Sequence, residues 1–245
     1  MINLLVTGKS GRMGQAILQA AEADPAVTVT STHDAGEDLT KAFTGVDCVI
    51  DFTMHKFTRE VVEAALKTGT RLVIGTTGHT DEERAFITEA AKTIPIIFAS
   101  NYSVGVNTLF WLTQKAAQIL NQDRFDIEVI EMHHKHKIDA PSGTARRLLE
   151  ILNEETGTSY QTDIAHGRVG NVGPRKPREI GMHTLRGGDV VGDHTVVFAA
   201  DGERVELTHK ASSRLTFAAG AVRAAAWLAD KPAGLYDMQD VLGLK

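Results

Sequence analysis

The glycine-rich segment near the start of the chain constrains the fold most. Residues 2–7 are mainly apolar, and a helical pattern begins at Gln15. Between them stand three glycines at intervals of three, Gly8, Gly11 and Gly14. Glycines at such a turn permit positive φ angles and let the backbone approach a pyrophosphate closely, while the N-terminus of the following helix offers N–H groups to phosphates. The segment therefore predicts a strand, a tight turn and a helix that bind a dinucleotide.

A second predicted strand, at 27–32, delivers an acidic residue where nucleotide-binding folds need one. Asp34 lies twenty residues after Gly14. A carboxylate at this spacing accepts hydrogen bonds from the adenosine ribose hydroxyls. The glycine spacing is GxxGxxG rather than the commoner GxGxxG, so a plain strand-to-helix turn stays open as the alternative.

The rest of the first hundred residues alternates predicted strands with predicted helices, as in a parallel sheet covered on its faces. Strands are predicted at 46–53, 71–77 and 95–101, and helices at 58–67 and 81–92. In an open α/β sheet, ligands lie beyond the carboxyl ends of the strands. The residues expected to line a cofactor there are Phe52, Thr53, Gly75, Thr76, Thr77, Ala99, Ser100, Asn101 and Tyr102.

From residue 104 onward the pattern becomes mixed. Helices are predicted at 107–121, 143–155 and 217–229, and strands at 125–132, 180–185, 195–200 and 204–209. The segments Gly187-Gly188-Asp189 and Ala200-Asp201-Gly202 have turn chemistry, which predicts antiparallel hairpins between the last three strands. Residues 157–178 show no apolar period and are rich in Gly, Pro, Thr and charge, so they are predicted to form a long loop.

A cationic cluster stands immediately before the helix predicted at 143–155. Five consecutive residues, 133–137, are three histidines and two lysines, and Pro141-Ser142-Gly143-Thr144 marks the helix start. The free N–H groups of a helix N-terminus favour anions, and so do the neighbouring cations. Imidazoles exchange protons near neutral pH. The segment therefore predicts a site that holds carboxylates and moves protons.

Two other interpretations of this cluster remain open at this point. Clustered histidines are common metal ligands. Lys135 and Lys137 argue against a metal, because fixed ammonium charges beside the imidazoles oppose a dication, and metal sites more often add Cys, Asp or Glu at ligand spacing. No metal is therefore predicted. The other alternative is structural, with the histidines merely ending a strand.

Bulk properties narrow the class of partner. The net charge of -5 and a pI of about 6.1 give no case for nucleic acid or a membrane surface, because the basic cluster is local. The single cysteine, Cys48, cannot form an internal disulfide. A strand predicted from Ile2 leaves no room for a signal peptide, and no apolar run has the length of a membrane span. We expect a cytoplasmic protein with a small-molecule substrate.

Taken together, the motifs resemble the 4-hydroxy-tetrahydrodipicolinate reductase (dihydrodipicolinate reductase) family. The most specific match is residues 131–145, EMHHKHKIDAPSGTA, which resembles the family signature nearly residue for residue. The other matching segments are 8–14 (GKSGRMG), 50–53 (IDFT), 73–78 (VIGTTG), 99–103 (ASNYS) and 208–214 (THKASSR). The resemblance extends over essentially the whole chain, with 157–178 as the part that lacks a recognisable motif.

This resemblance implies a fold and an activity. The fold is α/β: a Rossmann-like doubly wound parallel sheet in residues 1–103, completed by 214–245, with an inserted α+β domain in 104–213 that has a mixed sheet and serves substrate binding and tetramerisation. The implied activity is NAD(P)H-dependent reduction of 4-hydroxy-2,3,4,5-tetrahydrodipicolinate to 2,3,4,5-tetrahydrodipicolinate, a step of lysine and diaminopimelate biosynthesis. The implied assembly is a homotetramer.

The family roles fall on matching positions of this chain. The resemblance makes His133 the proton donor or acceptor and Lys137 the second acid. It assigns substrate contacts to His134, Gly143 and Thr144. The implied dinucleotide contacts are Gly8, Lys9, Ser10, Gly11, Arg12, Met13, Asp34, Gly75, Thr76, Thr77, Ala99, Ser100, Asn101 and Tyr102.

Two departures from the family pattern concern the cofactor. Many members follow the acidic residue of the second strand with arginine, which suits the 2′-phosphate of NADPH, whereas Ala35 follows Asp34 here. Met54-His55-Lys56 also differs from relatives that have an arginine there. We therefore expect the chain to use both NADH and NADPH, with NADH at least as good. The alternative functions are reduction of another small cyclic imine or carboxylate, and a non-catalytic nucleotide-sensing module.

Overall fold

A computed structural model describes residues 1–245, which divide into two compact units. Unit 1 comprises Met1–Val104 with Arg214–Lys245, and unit 2 comprises Gly105–Ser213. Each unit has one β-sheet of its own. None of the helices combines the length and the apolar character that a transmembrane span requires.

The strands and helices are as follows in chain order. The strands are β1 Ile2–Thr7, β2 Val27–His33, β3 Cys48–Asp51, β4 Arg71–Ile74, β5 Pro95–Phe98, β6 Asp126–His133, β7 Ile164–His166, β8 Ile180–Arg186, β9 Gly192–Ala200, β10 Glu203–Ala211 and β11 Gly234–Tyr236. The helices are α1 Arg12–Glu22, α2 Leu39–Ala42, α3 His55–Thr68, α4 Asp81–Ala90, α5 Val104–Ile119, α6 Gly143–Thr156, α7 Leu215–Trp227 and α8 Met238–Leu242, with a 3-10 turn at Leu228–Asp230.

Unit 1 contains a six-stranded, all-parallel sheet in the order β11-β5-β4-β3-β1-β2. Alternate residues of each strand face opposite sides of a sheet. Leu4 accordingly packs in a core with α1 and α7, whereas Leu5 packs in a second core with α3 and α4. The sheet is therefore covered on both faces, and its strand order reverses beside β1, where open α/β sheets bind their ligands.

Unit 2 contains a five-stranded mixed sheet in the order β10-β9-β6-β8-β7. β6 pairs parallel with β8 and antiparallel with β9. One face of this sheet packs against α5 and α6, with Ile127, Val129 and Phe198 of the strands fully buried against Leu148 and Leu152. The predicted fold class, a Rossmann-like parallel sheet with a second α+β unit, is confirmed.

Two local predictions are wrong. The turn at Gly187-Gly188-Asp189 does not join a hairpin, because β6 lies between β8 and β9. Turn residues report a chain reversal and carry no information on which strand becomes the neighbour. Residues 157–178 are not loop throughout, since β7 pairs parallel with β8. A three-residue strand is too short to show a period in the sequence. The hairpin between β9 and β10 is confirmed, with Gly202 at φ +87.

Candidate active site

The turn after β1 is shaped by its first and third glycines. Gly8 has φ +69, a conformation that L side chains rarely adopt. Gly14 is buried, and a Cβ there would lie 2.1 Å from the carbonyl oxygen of Gly8, so only glycine lets α1 approach the turn this closely. Gly11 is the N-cap of α1 and makes no side-chain cap. The first N–H groups of α1 therefore remain available to an anion. Lys9 and Ser10 precede this N-terminus, and Arg12 and Met13 are the first residues of α1.

Two carboxylates follow β2, one predicted and one missed. Asp34 accepts hydrogen bonds from the backbone N–H of Ser10 at 3.2 and 3.4 Å. Glu37 accepts from Lys9 Nζ at 2.6 Å with one oxygen and from the Asp34 backbone N–H at 2.8 Å with the other. The hydrogen bond from Lys9 lowers the pKa of Glu37. One of the cations that the sequence offers to a phosphate is thus already paired.

A buried carboxylate, also missed, connects three strand ends of unit 1. Asp51 ends β3 and is fully buried without a basic partner. Its oxygens accept hydrogen bonds from the hydroxyls of Thr7 at 2.7 Å, Thr53 at 2.6 Å and Thr76 at 3.0 Å. A weaker contact at 3.4 Å comes from Thr58. Thr7 ends β1, whereas Thr53 and Thr76 follow β3 and β4. Asp51 therefore fixes these strand ends, and the predicted cofactor-lining loops that begin there, relative to one another.

The remaining predicted cofactor residues lie at the carboxyl ends of β4 and β5. A Cβ on Gly75 would lie 2.2 Å from the ring of Phe52, so that ring packs directly on the glycine. Tyr102 is 1% exposed, and its hydroxyl donates to the carbonyls of Ile74 at 2.9 Å and Ile97 at 3.2 Å. The Tyr102 side chain therefore braces the strand ends from within the core. Thr77 and Ser100 are exposed, and Ala99 and Asn101 are half-buried.

In unit 2, His133 ends β6 and lies on the same face of that strand as Glu131. Residues two apart in a strand share a face. His133 is 8% exposed, and its Nδ1 donates to Glu131 Oε2 at 2.5 Å. The backbone carbonyl of His133 accepts from Gly187 N–H at 2.9 Å, which fixes the strand end. The Nε2 atom lies beside Gly192, where a Cβ would come within 3.0 Å of it.

Glu131 is the centre of a buried polar network. It is fully buried, and Arg186 of β8 donates to both of its oxygens, at 3.0 and 3.1 Å. The backbone N–H of Ser142 donates to Glu131 at 3.1 Å. Burial raises the pKa of the Glu131 carboxyl, but the hydrogen bonds from His133, Arg186 and Ser142 together outweigh burial and lower it to about 2. Glu131 is therefore a carboxylate throughout the neutral range.

The predicted substrate residues lie around this network. Ser142 is the N-cap of α6, and its hydroxyl accepts from the Ala145 N–H at 3.2 Å. Gly143 and Thr144 form the first turn of α6, where N–H groups attract anions. Lys137 Nζ pairs with Asp139 at 2.8 Å, and this pair lowers the pKa of Asp139 although burial opposes the shift. His134 is the first residue of the loop between β6 and α6 that contains Lys137, and it is half-buried.

A second buried histidine, which the sequence reasoning missed, completes the site. His194 of β9 is opposite Glu131 in the β6–β9 register, and its ring centroid lies 5.2 Å from that of His133. Burial first, and then the neighbouring His133, lower the pKa of His194 to about 3, so His194 is neutral. Its Nε2 lies 3.1 Å from the Ser142 hydroxyl.

Donor atoms of Glu131, His133 and His194 lie within 4.8 Å of one another, a spacing that fits a metal ion. The chemistry of the set opposes one. Both Glu131 oxygens already accept from the Arg186 guanidinium, and His133 directs Nδ1 at the same carboxylate. A dication would have to displace a fixed cation. The arrangement suits an imidazole that is oriented for proton exchange beside a helix N-terminus.

Comparison with known proteins places the chain in a family. Two family models match: dihydrodipicolinate reductase, N-terminus, over residues 2–102, and dihydrodipicolinate reductase, C-terminus, over residues 105–242. A 4-hydroxy-tetrahydrodipicolinate reductase of Akkermansia muciniphila is 63% identical over 244 residues, covering 100% of this chain and 99% of the relative. One of Anaeromyxobacter dehalogenans is 47% identical over 268 residues, with coverage of 100% and 99%.

Solved structures share the fold. A dipicolinate-bound dihydrodipicolinate reductase from a Paenisporosarcina species matches with a TM-score of 0.80 at 22% identity, covering 98% of both chains. A probable dehydrogenase from Thermotoga maritima matches with a TM-score of 0.62 at 10% identity, covering 99% of this chain and 93% of the other. The family models and the identities to the curated relatives together show that the chain belongs to the dihydrodipicolinate reductase family.

Proposed function

We propose that the chain reduces 4-hydroxy-tetrahydrodipicolinate to tetrahydrodipicolinate with NADH or NADPH, in lysine and diaminopimelate biosynthesis. The observation that carries the proposal is the pairing of His133 with a buried carboxylate, directly beside the N-terminus of α6. The names of the curated relatives support the substrate. The glycine turn after β1 supports the cofactor, because the close approach at Gly14 and the uncapped start of α1 fit a pyrophosphate.

The residues of unit 2 divide the chemistry among them. The 4-hydroxyl of the substrate leaves as water, which gives a conjugated cyclic imine. Reduction of that imine, or of its enamine form, needs a hydride, which the nicotinamide supplies when bound, and a proton from the protein. His133 donates Nδ1–H to Glu131, so Nε2 is the atom that delivers the proton. Lys137 acts as the second acid. The N–H groups of Gly143 and Thr144, together with His134, hold the substrate carboxylates.

In unit 1 the dinucleotide contacts are proposed for the turn residues Gly8 to Met13 and for the strand-end loops. Gly75, Thr77, Ala99, Ser100 and Asn101 contribute surface. Thr76, which donates to Asp51, and Tyr102 are buried and support these loops from within. Asp34 follows β2, and its proposed role is to accept hydrogen bonds from the ribose hydroxyls; Ala35, not an arginine, comes next. We therefore propose dual use of the two cofactors, with NADH at least as good as NADPH.

The proposed location and assembly are a cytoplasmic homotetramer with no nucleic-acid or membrane partner. The first residues of β10 are exposed in the single chain, which leaves a sheet edge available to another copy. Light scattering coupled to size-exclusion chromatography tests the assembly, and a monomer at micromolar concentration would contradict it.

The test of the activity is a cofactor-oxidation assay. The substrate is made in place by condensing aspartate semialdehyde with pyruvate, and the loss of NADH is followed by absorbance. Pyridine-2,6-dicarboxylate, a planar mimic of the dicarboxylate ring, should inhibit competitively and bind more tightly when NADH is present. Turnover with another cyclic imine but none with the condensation product would favour the broader reductase alternative, and NADH binding without any turnover would favour a nucleotide sensor.

The first prediction concerns the two proposed acids. His133→Gln and Lys137→Ala should each lower kcat by about a hundredfold to ten-thousandfold, the usual contribution of a positioned acid or base. The dissociation constant for NADH, measured by fluorescence, should stay within about twofold, because neither residue belongs to unit 1. The matched control is His136→Gln, which removes an exposed imidazole from the same segment. Near-normal turnover of both acid variants would reject the assignment of roles.

A further inference from the structure

We propose that Glu131, held by Arg186, is a positioning residue that fixes the His133 imidazole so that Nε2 exchanges the proton with substrate. The inference rests on the proposed role of His133 and assigns a function to Glu131 and Arg186, of which that proposal names only Glu131, as the hydrogen-bond partner of the imidazole. Glu131 is fully buried beneath His133, so it acts through the imidazole and not on the substrate.

Three hydrogen-bonding groups fix the orientation of the Glu131 carboxylate. Arg186 approaches both oxygens as a fork, which allows the carboxylate one orientation in its own plane. The Ser142 N–H holds Oε1 from the side of α6. The remaining capacity of Oε2 is directed at His133 Nδ1. An imidazole with Nδ1–H committed in this way has only Nε2 for proton transfer.

Stability of the fold alone does not explain a buried ion pair at this position. Taking a carboxylate and a guanidinium out of water costs several kcal/mol per ion, and apolar residues of the same volume are often as stable or more so. The network also reaches two segments of the proposed substrate site, because Arg186 donates to the carbonyl of Asp139 at 2.6 Å while Ser142 caps α6. Glu131 thus aligns His133 with the start of α6 and the Lys137 loop.

The charged and titratable groups around His133 come from every neighbouring element. Glu131 on β6 bonds the ring, Arg186 on β8 bonds Glu131, and His194 on β9 lies against the ring. The further charged and titratable groups act on His194 or on one another; they are His209 on β10, and Lys137 with its partner Asp139 in the loop before α6. Glu131 is the only one of them that hydrogen-bonds the His133 ring. Removing its charge should therefore disfavour the imidazolium, which an adjacent anion favours.

The experiment compares Glu131→Gln with Glu128→Gln. Glu128 is a matched control because it lies on the same strand in a comparable network, with Arg168, Arg175 and His183, but does not touch His133. Glu131→Gln should lower kcat by roughly ten- to a hundredfold, part of the full contribution of an acid, and move the alkaline limb of the kcat profile to lower pH by about one unit. Glu128→Gln should leave the position of that limb unchanged.

A double variant separates this inference from the role of His133. If Glu131 acts through His133, the double variant His133→Gln/Glu131→Gln should turn over within about twofold of His133→Gln alone. Multiplied losses would show that Glu131 acts independently and would overturn the inference. Wild-type kcat in His133→Gln would reject the proposed acid itself. Arg186→Lys keeps both charges but loses the fork that orients Glu131, so it should lower kcat while the alkaline limb stays in place. Wild-type kcat in Arg186→Lys would contradict the positioning role, so the test stands if Glu131→Gln does not fold.

Discussion

The two units use carboxylates at strand ends in opposite ways. After β2, Asp34 and Glu37 lie near solvent. Asp34 accepts from the backbone N–H of Ser10. Glu37 accepts from the backbone N–H of Asp34 and pairs with Lys9. At the end of β6, Glu131 has no exposed surface and is bound by a guanidinium, an imidazole and a backbone N–H. Water and salt screen the first pair, whereas the buried charge interacts strongly with its neighbours. The exposed carboxylates therefore suit adjustment of cofactor choice, and the buried one suits fixed geometry.

The comparison predicts that removing the basic partner of each carboxylate lowers the free energy of unfolding by different amounts. Arg186→Met leaves Glu131 buried without its guanidinium, and breaking a buried pair from one side costs about 3 kcal/mol or more of unfolding free energy. Lys9→Met removes the partner of an exposed carboxylate and should leave the urea midpoint unchanged. Urea unfolding followed by circular dichroism measures both. Equal urea midpoints for the two variants would show that solvent screens the Glu131–Arg186 pair as strongly as it screens the exposed Lys9–Glu37 pair.

The buried His194 of unit 2 makes the stability of the folded chain depend on pH. Its pKa is about 3 in the folded chain against an ordinary value of 6.5, because burial and His133 disfavour the charged ring. Between those values the unfolded chain binds a proton that the folded chain does not, so stability is complete above pH 6.5 and is lost as pH falls toward 3. Glu131, with its pKa lowered to about 2, adds a similar loss only below its ordinary value of 4.5.

His194→Gln should therefore flatten the fall in stability between pH 6.5 and pH 5. The change is at most about 1.4 kcal/mol per pH unit, the contribution of one proton. Burial also lowers the pKa values of His79 and His209, so the slope should decrease without vanishing. Urea midpoints at pH 7, 6 and 5 provide the measurement, with His136→Gln as the exposed control. An unchanged slope in His194→Gln would mean that His194 takes up its proton in the folded state.

The sequence predicts those features that depend on residues close together in the chain, and it misses those that depend on contacts between distant segments. Gly8 and Gly14 are predictable because a turn and a helix start are local, and the strand-helix alternation of unit 1 repeats locally as well. Glu131 lies in the matching segment 131–145, and its spacing of two from His133 indicates a shared strand face, but nothing local indicates that it is the carboxylate that holds the imidazole. Arg186 and His194 reach the site through sheet register, which no local pattern reports. The same holds for the threonine hydroxyls that converge on Asp51 from three segments.

Glu37 provides the smallest predicted effect and the sharpest test of the exposed carboxylates. Because Glu37 holds Lys9 Nζ at 2.6 Å, the lysine reaches a 2′-phosphate only by giving up that partner. Glu37→Gln should free the lysine, remove one repelling charge, and raise the ratio of kcat/KM for NADPH over NADH by roughly threefold to tenfold at low salt. Simple damage to the loop would not produce such a gain for one cofactor.

Two controls make the cofactor test decisive. In the double variant Lys9→Met/Glu37→Gln the gain in the NADPH/NADH ratio should disappear, because the freed cation is no longer present. In Glu37→Gln the same gain should shrink as ionic strength approaches 0.5 M, where the Debye length falls to roughly 4 Å. An unchanged cofactor ratio in Glu37→Gln would assign the choice of cofactor to Asp34 and Ala35 alone. In the wild-type chain, a kcat/KM for NADPH more than about tenfold above that for NADH, equivalent to roughly 1.4 kcal/mol, would contradict the proposed effect of all three residues.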